Sequence, residues 1–290
     1  MSNAFKQFYR FYSETNFNES MKRGIAMKIG FIGVGNMAQA LIHGMRIEHA
    51  EWQLFGFDIY APSLERAAAN DGLIALSSAA EVIEKVDIVV LAIKPQQYDG
   101  LLKEISSSIR KEQIIVTIAI GFDIARTQSY FAEPMKIVRA MPNTPALIGQ
   151  GVTGVSFSEA VTDAEHDAAR TMFASCGTVV DITEAEFNIF GAVAGSLPAY
   201  VYIMTEALAD AAVQYGLGRA ASYEIISQAI SGSAAMVNAT NMHPAQLKDQ
   251  VCSPNGTTIA AVDALEREGF RHALMAAVQA CMTRTKELDK

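Results

Sequence analysis

The stretch MKIGFIGVGNMAQALIHGM, from Met27 to Met45, limits the fold more than any other part of this 290-residue chain. A short apolar run suited to a strand stops at Gly33-Val34-Gly35, and apolar residues then recur at helical spacing. Gly33 permits the tight turn between the two, Gly35 lets a ligand come close to the backbone, and Ala38 is small enough for the helix to lie near the strand. N–H groups at a helix start hold negative charge, so G-x-G-x-x-A in this setting is a dinucleotide site. Gly33, Val34, Gly35, Asn36, Met37 and Ala38 are its candidate cofactor contacts.

Further β-like runs follow at Gln53 (QLFGF), Asp87 (DIVVLAI) and Gln113 (QIIVTIAI), with helical segments at Leu64 to Asn70 and Tyr98 to Ile109. Strands alternating with helices in this way predict a mostly parallel, doubly wound α/β sheet of the Rossmann type. The sheet is expected to continue through KIVRAMP at Lys136 and GVTGVSF at Gly151. A helix from Asp163 to Cys176 and a last strand at Thr178 to Ile182 complete it. After Glu184 only helical patterns remain, chiefly Ala199 to Tyr215 and Arg219 to Asn241. The expected organisation is an extension at 1–26, a dinucleotide-binding domain at 27–183 and an all-α domain at 184–290. Alanine-rich helix faces in that last part are too apolar for water on every side and predict burial against a second subunit.

Half the residues are hydrophobic and 19% are charged, with a net charge of -8 and no long basic run, so nucleic acid and anionic membrane surfaces are not expected partners. The three cysteines, Cys176, Cys252 and Cys281, are far apart and suit neither a disulfide framework nor a zinc ribbon. No metal site is expected. No uninterrupted apolar run reaches the ~18 residues that span a bilayer, and the start lacks the apolar core of a signal peptide. A reducing cytoplasm and a small soluble ligand fit these totals.

Asp58 follows the second strand, where a carboxylate can accept hydrogen bonds from the adenosine ribose. That placement favours NADH over NADPH, although Asp58 also suits a cap for the turn that follows, and Arg66 is near enough in sequence to offset its charge. Lys94 and Pro95, after IVVLAI, stand at the carboxyl edge of the sheet and are read as a wall of the cofactor site. RAMPNTPALIGQG, from Arg139 to Gly151, is a proline-stiffened loop expected near the nicotinamide half.

Four segments, GFIGVGNMAQAL, AIKPQ, RAMPNTPALIGQG and HPAQLKDQVCSPNGTTIAAVDALEREGFR, together resemble the pyrroline-5-carboxylate reductases in order and spacing. The resemblance covers the chain from about Met27 onward. It implies a Rossmann domain followed by a C-terminal dimerisation domain that interlocks with its twin, often within larger assemblies of dimers. It also implies reduction of 1-pyrroline-5-carboxylate to L-proline with NADPH or NADH, the cofactor touching Ala92, Ile93, Lys94, Pro95, Ala119, Asn143 and Thr144.

The same resemblance gives a purpose to the polar turn Ser253 to Thr258, which interrupts an apolar helical region. Gly256 and Thr257 then hold the substrate carboxylate, Asn255 is a further substrate contact, and the Thr258 hydroxyl stands near the imine nitrogen as the catalytic group. Thr258 is also expected to cap a helix beginning at Ile259. Ser196 in GAVAGSLPAY matches the family's loop near the substrate. Asn255 replaces a usual glycine, and Ala194 and Leu197 replace a serine and a small residue. Two other readings stay open: a β-hydroxyacid dehydrogenase, for which no suitable lysine base follows Glu184, and a dinucleotide sensor without catalysis. His243, before Pro244, reads as a helix cap rather than a base.

Overall fold

The computed structural model describes residues 27–288, so the extension at 1–26 lies outside the described residues. The chain divides into two compact units: one runs up to Ala140 and includes Ala146–Val179, and the other takes Met141–Pro145 and the chain from Val180 onward.

The first unit is built on β1 (Lys28–Ile32), β2 (Gln53–Phe57), β3 (Ile74–Ala75), β4 (Ile88–Leu91), β5 (Ile114–Thr117), β6 (Lys136–Met141), β7 (Gly151–Phe157) and β8 (Gly177–Asp181). They form one sheet in the order β3-β2-β1-β4-β5-β6-β7-β8. Strand β1 pairs in parallel with β2 on one side and β4 on the other, Ile29 lying beside both Leu54 and Ile88. The order reverses direction between β1 and β4, and this switch point opens a crevice at the carboxyl ends of the strands.

The sequence makes both faces of the sheet apolar. Every residue of IVVL in β4 and of IIVT in β5 is buried, as expected when helices cover both sides. Alternate residues part company. Ile88, Val90, Ile114 and Val116 join a core with Leu41 and Met45 of α1 (Asn36–Glu48) and with Met172 and Phe173 of a later helix, Asp163–Ala174. Val89, Leu91 and Ile115 join the opposite core. There they meet Val82 and Ile83 of a helix at Ala79–Lys85 and Tyr98 and Leu102 of one at Pro95–Ile105. In chain order these helices are α1, α2 (Ala61–Asp71), α3 (Ala79–Lys85), α4 (Pro95–Ile105), α5 (Ile124–Gln128) and α6 (Asp163–Ala174).

The doubly wound sheet is as expected, with local differences. Helix α4 starts at Pro95, three residues before the expected Tyr98, because proline needs no N–H acceptor in the first turn. It stops at Ile105, before the run Ser106-Ser107-Ser108, rather than at Ile109. Strand β3 and helices α3 and α5 were not legible, being two, seven and five residues long. A cap marks α3 even so: the Ser78 hydroxyl accepts from the Glu81 N–H at 3.1 Å.

The second unit holds α7 (Phe187–Phe190), a π turn at Gly191–Gly195, α8 (Leu197–Gln214), α9 (Arg219–Thr240), α10 (Pro244–Val251), α11 (Thr257–Arg267) and α12 (Phe270–Leu288). Helices α8 and α9 pack on one another. Among the described residues, Phe187, Ala192, Ala194 and Ala209 are its buried apolar side chains, while Tyr202, Ile203, Ile225, Met236 and Met275 are exposed. This unit lacks a closed core of its own. The run Glu184–Gln214 is long and apolar enough to cross a bilayer by length and composition, with 17% of its apolar window buried. The π turn interrupts that run with two glycines, and its Ala192 and Ala194 are buried.

Tyr98 ties the sheet to α4. Its hydroxyl donates to the Leu91 carbonyl and accepts from Thr117 Oγ1 at 3.3 Å, and its ring lies 4.4 Å from that of Phe122. Burial pushes the phenol pKa up to about 12, against hydrogen bonding from Thr117 that lowers it. Tyr98→Phe leaves buried polar groups short of a partner and is expected to lower stability by about 1–3 kcal/mol. The single tryptophan, Trp52, lies buried in this unit, so urea unfolding followed by its fluorescence measures the change.

Candidate active site

The crevice at the switch point is a cleft of about 590 Å³. Gly33 and Gly35 line it from the first loop, Asp58 from the end of β2, and Ala92, Ile93 and Lys94 from the end of β4. Gly33 has φ +93, and a β-carbon there would stand 2.6 Å from the Ala92 carbonyl oxygen. Glycine is therefore required on both conformational and steric grounds. A β-carbon on Gly35 would meet nothing within 4 Å, so the loop presents bare backbone to open space where α1 begins. Those two properties, with Asn36 and Met37 at the helix start, fit a pyrophosphate.

Three of the expected contacts are held back from the cleft surface. Val34 and Ala38 are buried. The Val34 N–H donates to Asp58 Oδ2 at 2.6 Å, and its carbonyl accepts from Gln39 Nε2 at 2.8 Å. Ala119 is buried just beyond β5. Pro95 opens α4 behind Lys94. Asp58 does cap the turn that follows, since its Oδ1 accepts from the Tyr60 N–H at 2.8 Å. Arg66 does not turn back to Asp58 in this geometry; it donates to Ser63 Oγ at 3.1 Å.

The cleft also includes residues that sequence patterns did not single out. Ile59 and Tyr60 follow Asp58, and Gln97, Leu101 and Glu104 line it from α4. The spacing of those last three, four and then three residues apart, puts them on one helical face. That spacing was visible; the starting point of α4 was not.

The other expected site residues lie in the second unit. Asn143 is buried and donates from Nδ2 to the Ala194 carbonyl at 3.1 Å, while Thr144 is exposed at the start of a 3-10 turn, Thr144–Ile148. Ser196 follows the π turn, and its hydroxyl lies 3.4 Å from Cys281 Sγ of α12. Cys252 is half-buried immediately before the polar turn.

The turn Ser253-Pro254-Asn255-Gly256 closes through the Gly256 N–H, which donates to the Ser253 carbonyl at 3.0 Å. Asn255 takes φ +57, a left-handed conformation that asparagine adopts more readily than most residues and that suits the third position of a turn after proline. A β-carbon on Gly256 would lie 2.3 Å from Ser253 Oγ. Helix α11 begins at Thr257 with Gly256 as its N-cap and no side-chain cap. The expectation that Thr258 caps this helix is therefore corrected. The turn closes one residue earlier than its polar run suggested, and Thr258 falls inside the first helical turn. There the N–H groups of Thr257 and Thr258, in the first turn, have no intrahelical acceptor. His243 caps α10 as expected, its Nδ1 accepting from the Ala245 N–H at 3.2 Å.

A doubly wound sheet with an open glycine loop at its switch point defines a dinucleotide-binding oxidoreductase fold. Two family models match the chain: one described as pyrroline-5-carboxylate reductase dimerisation over residues 184–288, the other as NADP oxidoreductase, coenzyme F420-dependent, over residues 28–121. The chain is 41% identical over 266 residues to the pyrroline-5-carboxylate reductase of Escherichia coli K12, covering 91% of this chain and 98% of that protein. The crystal structure of 1-pyrroline-5-carboxylate reductase from Streptococcus pyogenes superposes with a TM-score of 0.81 at 34% identity, over 90% of this chain and 99% of that one. The Plasmodium falciparum pyrroline carboxylate reductase with NADP bound does so with a TM-score of 0.81 at 32% identity, over 91% and 98%. This chain belongs to the pyrroline-5-carboxylate reductase family.

The loop geometry has a direct consequence. Gly33→Ala sets a β-carbon against the Ala92 carbonyl in a conformation that costs roughly 1–3 kcal/mol. Affinity for 5'-ADP, measured by calorimetry, is expected to fall by at least about tenfold.

Proposed function

We propose that this protein reduces 1-pyrroline-5-carboxylate to L-proline, the last step of proline biosynthesis. The observation that carries the reading is the turn Ser253–Gly256 leading into uncapped α11, a small anion cradle with hydroxyls beside it. When bound in the cleft of the first unit, a reduced nicotinamide supplies the hydride for the C=N carbon.

The protein's own part is to bind and orient. The N–H groups at the start of α11 hold the substrate carboxylate, with Asn255 and Gly256 shaping the turn and Thr257 beside it. The Thr258 hydroxyl directs the imine nitrogen. Threonine is too weak an acid to give up its proton outright, so the nitrogen becomes protonated from water or arrives protonated. Ser196 lies near the ring in this reading. Orientation of the reacting atoms contributes on the order of 7 kcal/mol in well-organised systems, so a site without a strong acid or base suffices.

NADH is the preferred cofactor. A 2'-phosphate brought near the Asp58 carboxylate meets repulsion of roughly 1 kcal/mol in water and about 4 at an effective dielectric of 20. Lys94, at the end of β4, is the one cation among the lining residues, and Ile59, Tyr60 and Glu104, which share the cleft with Asp58, add none. Ala92, Ile93 and Lys94 form the cofactor wall, with Pro95 and Ala119 supporting it. The working protein is a cytoplasmic homodimer or an assembly of such dimers, because the exposed apolar helices of the second unit need a partner.

Oxidation of NADH and NADPH by the purified protein with 1-pyrroline-5-carboxylate tests the reading. Turnover with kcat/KM at least about tenfold higher for NADH is expected. A dinucleotide sensor gives no turnover, and a hydroxyacid dehydrogenase requires an alcohol substrate. Thr258→Ala is expected to lower kcat by about ten- to a hundredfold with the NADH Kd unchanged, and Thr258→Ser to retain most activity. Wild-type kcat in the alanine variant would remove Thr258 from the mechanism.

A further inference from the structure

The residue between the two loop glycines is gripped on both backbone groups by side chains from other elements. The Val34 N–H donates to Asp58 Oδ2 at 2.6 Å, and the Val34 carbonyl accepts from Gln39 Nε2 at 2.8 Å. On either side the loop uses main-chain bonds instead: the Gly33 N–H donates to the Phe57 carbonyl at 2.8 Å, and the Gln39 N–H to the Gly35 carbonyl at 2.9 Å. Asp58 is itself fixed, because its other oxygen accepts from the Tyr60 N–H.

Glycines on both sides of Val34 leave that segment with little local preference for one conformation. A ligand that had to order the loop would lose affinity to the ordering, whereas a loop already in shape does not impose that loss. We propose that Asp58 and Gln39 are positioning residues that set the phosphate loop before the dinucleotide arrives, so that nucleotide selectivity and loop order depend on one carboxylate. The proposal rests on the reading that the cleft takes a nicotinamide dinucleotide.

An acidic residue that only repelled a 2'-phosphate could swing aside for NADPH at little cost. Here the same rotation strips the partner from the N–H of a buried residue, and an orphaned buried donor is costly. Removing Asp58 therefore does not simply admit NADPH. It weakens every ligand that uses the loop.

The test separates loop order from ribose contact. Calorimetry on the full chain compares 5'-ADP with 2',3'-dideoxy-ADP, whose sugar has no hydroxyl for a carboxylate to accept. Asp58→Ala and Gln39→Leu are each expected to weaken dideoxy-ADP binding by about tenfold. In NADH turnover, KM should rise more than kcat falls. Cooperative thermal unfolding followed at Trp52 shows that each variant is folded, and Gln39→Leu, at a half-buried position of α1, serves should Asp58→Ala not fold. Wild-type affinity for dideoxy-ADP in either folded variant overturns the proposal, as does a loss confined to 5'-ADP. Wild-type protein that binds neither nucleotide overturns the dinucleotide reading and this inference with it.

Discussion

The first unit depends on how closely the chain can approach itself where β1 and β4 end. The Ala92 N–H donates to the Ile32 carbonyl at 2.8 Å, so the two strands finish side by side, and the backbone must leave through a space with no room for a β-carbon at Gly33. Only a turn of that tightness starts α1 directly above the strand ends with its N–H groups facing the crevice. The helix then buries Leu41 and Met45 against the sheet. The geometry of the glycine loop and the packing of α1 are thus consequences of one close contact.

The long periodic elements were legible because burial on both faces leaves a plain mark. Strands β4 and β5 are continuous apolar runs, and α9 was expected within one residue of Arg219–Thr240. The short elements left no such mark. Helix α3 has fewer than two full helical periods in which to show a stripe, and β3 is a two-residue addition whose residues are both exposed. In the site, Asn255 was legible only as the replacement of a glycine usual in the family, and its left-handed conformation suits asparagine. The cap of α11 was not legible, because Gly256, Thr257 and Thr258 are all acceptable near a helix start, and only the bond between Gly256 and Ser253 decides among them. Asp58 was legible as an acidic residue at a strand end, but its grip on Val34 was not, since a side chain's partner 24 residues away leaves no periodic trace.

The second unit shows what a dimerisation region looks like in a single chain. Its helices carry alanine and methionine where a self-sufficient bundle would place a sealed core, and large apolar side chains such as Tyr202 and Met275 stand in the open. Small residues let helices approach closely, while the polar turn before α11 keeps its donors at a helix end. Under the proposed function, packing and recognition use different parts of the same unit: helix flanks for association, a helix terminus for the substrate.

The five residues Met141–Pro145 belong to the helical unit although they begin with the last residue of β6 and run on toward β7. The backbone consequently passes from one unit to the other three times. Excising a nucleotide-binding fragment by stopping translation before Glu184 keeps Asn143 but discards Ala194, the carbonyl to which its amide donates. The two units are each compact and each matched by a family model of its own, yet no single scissor cut yields either one whole.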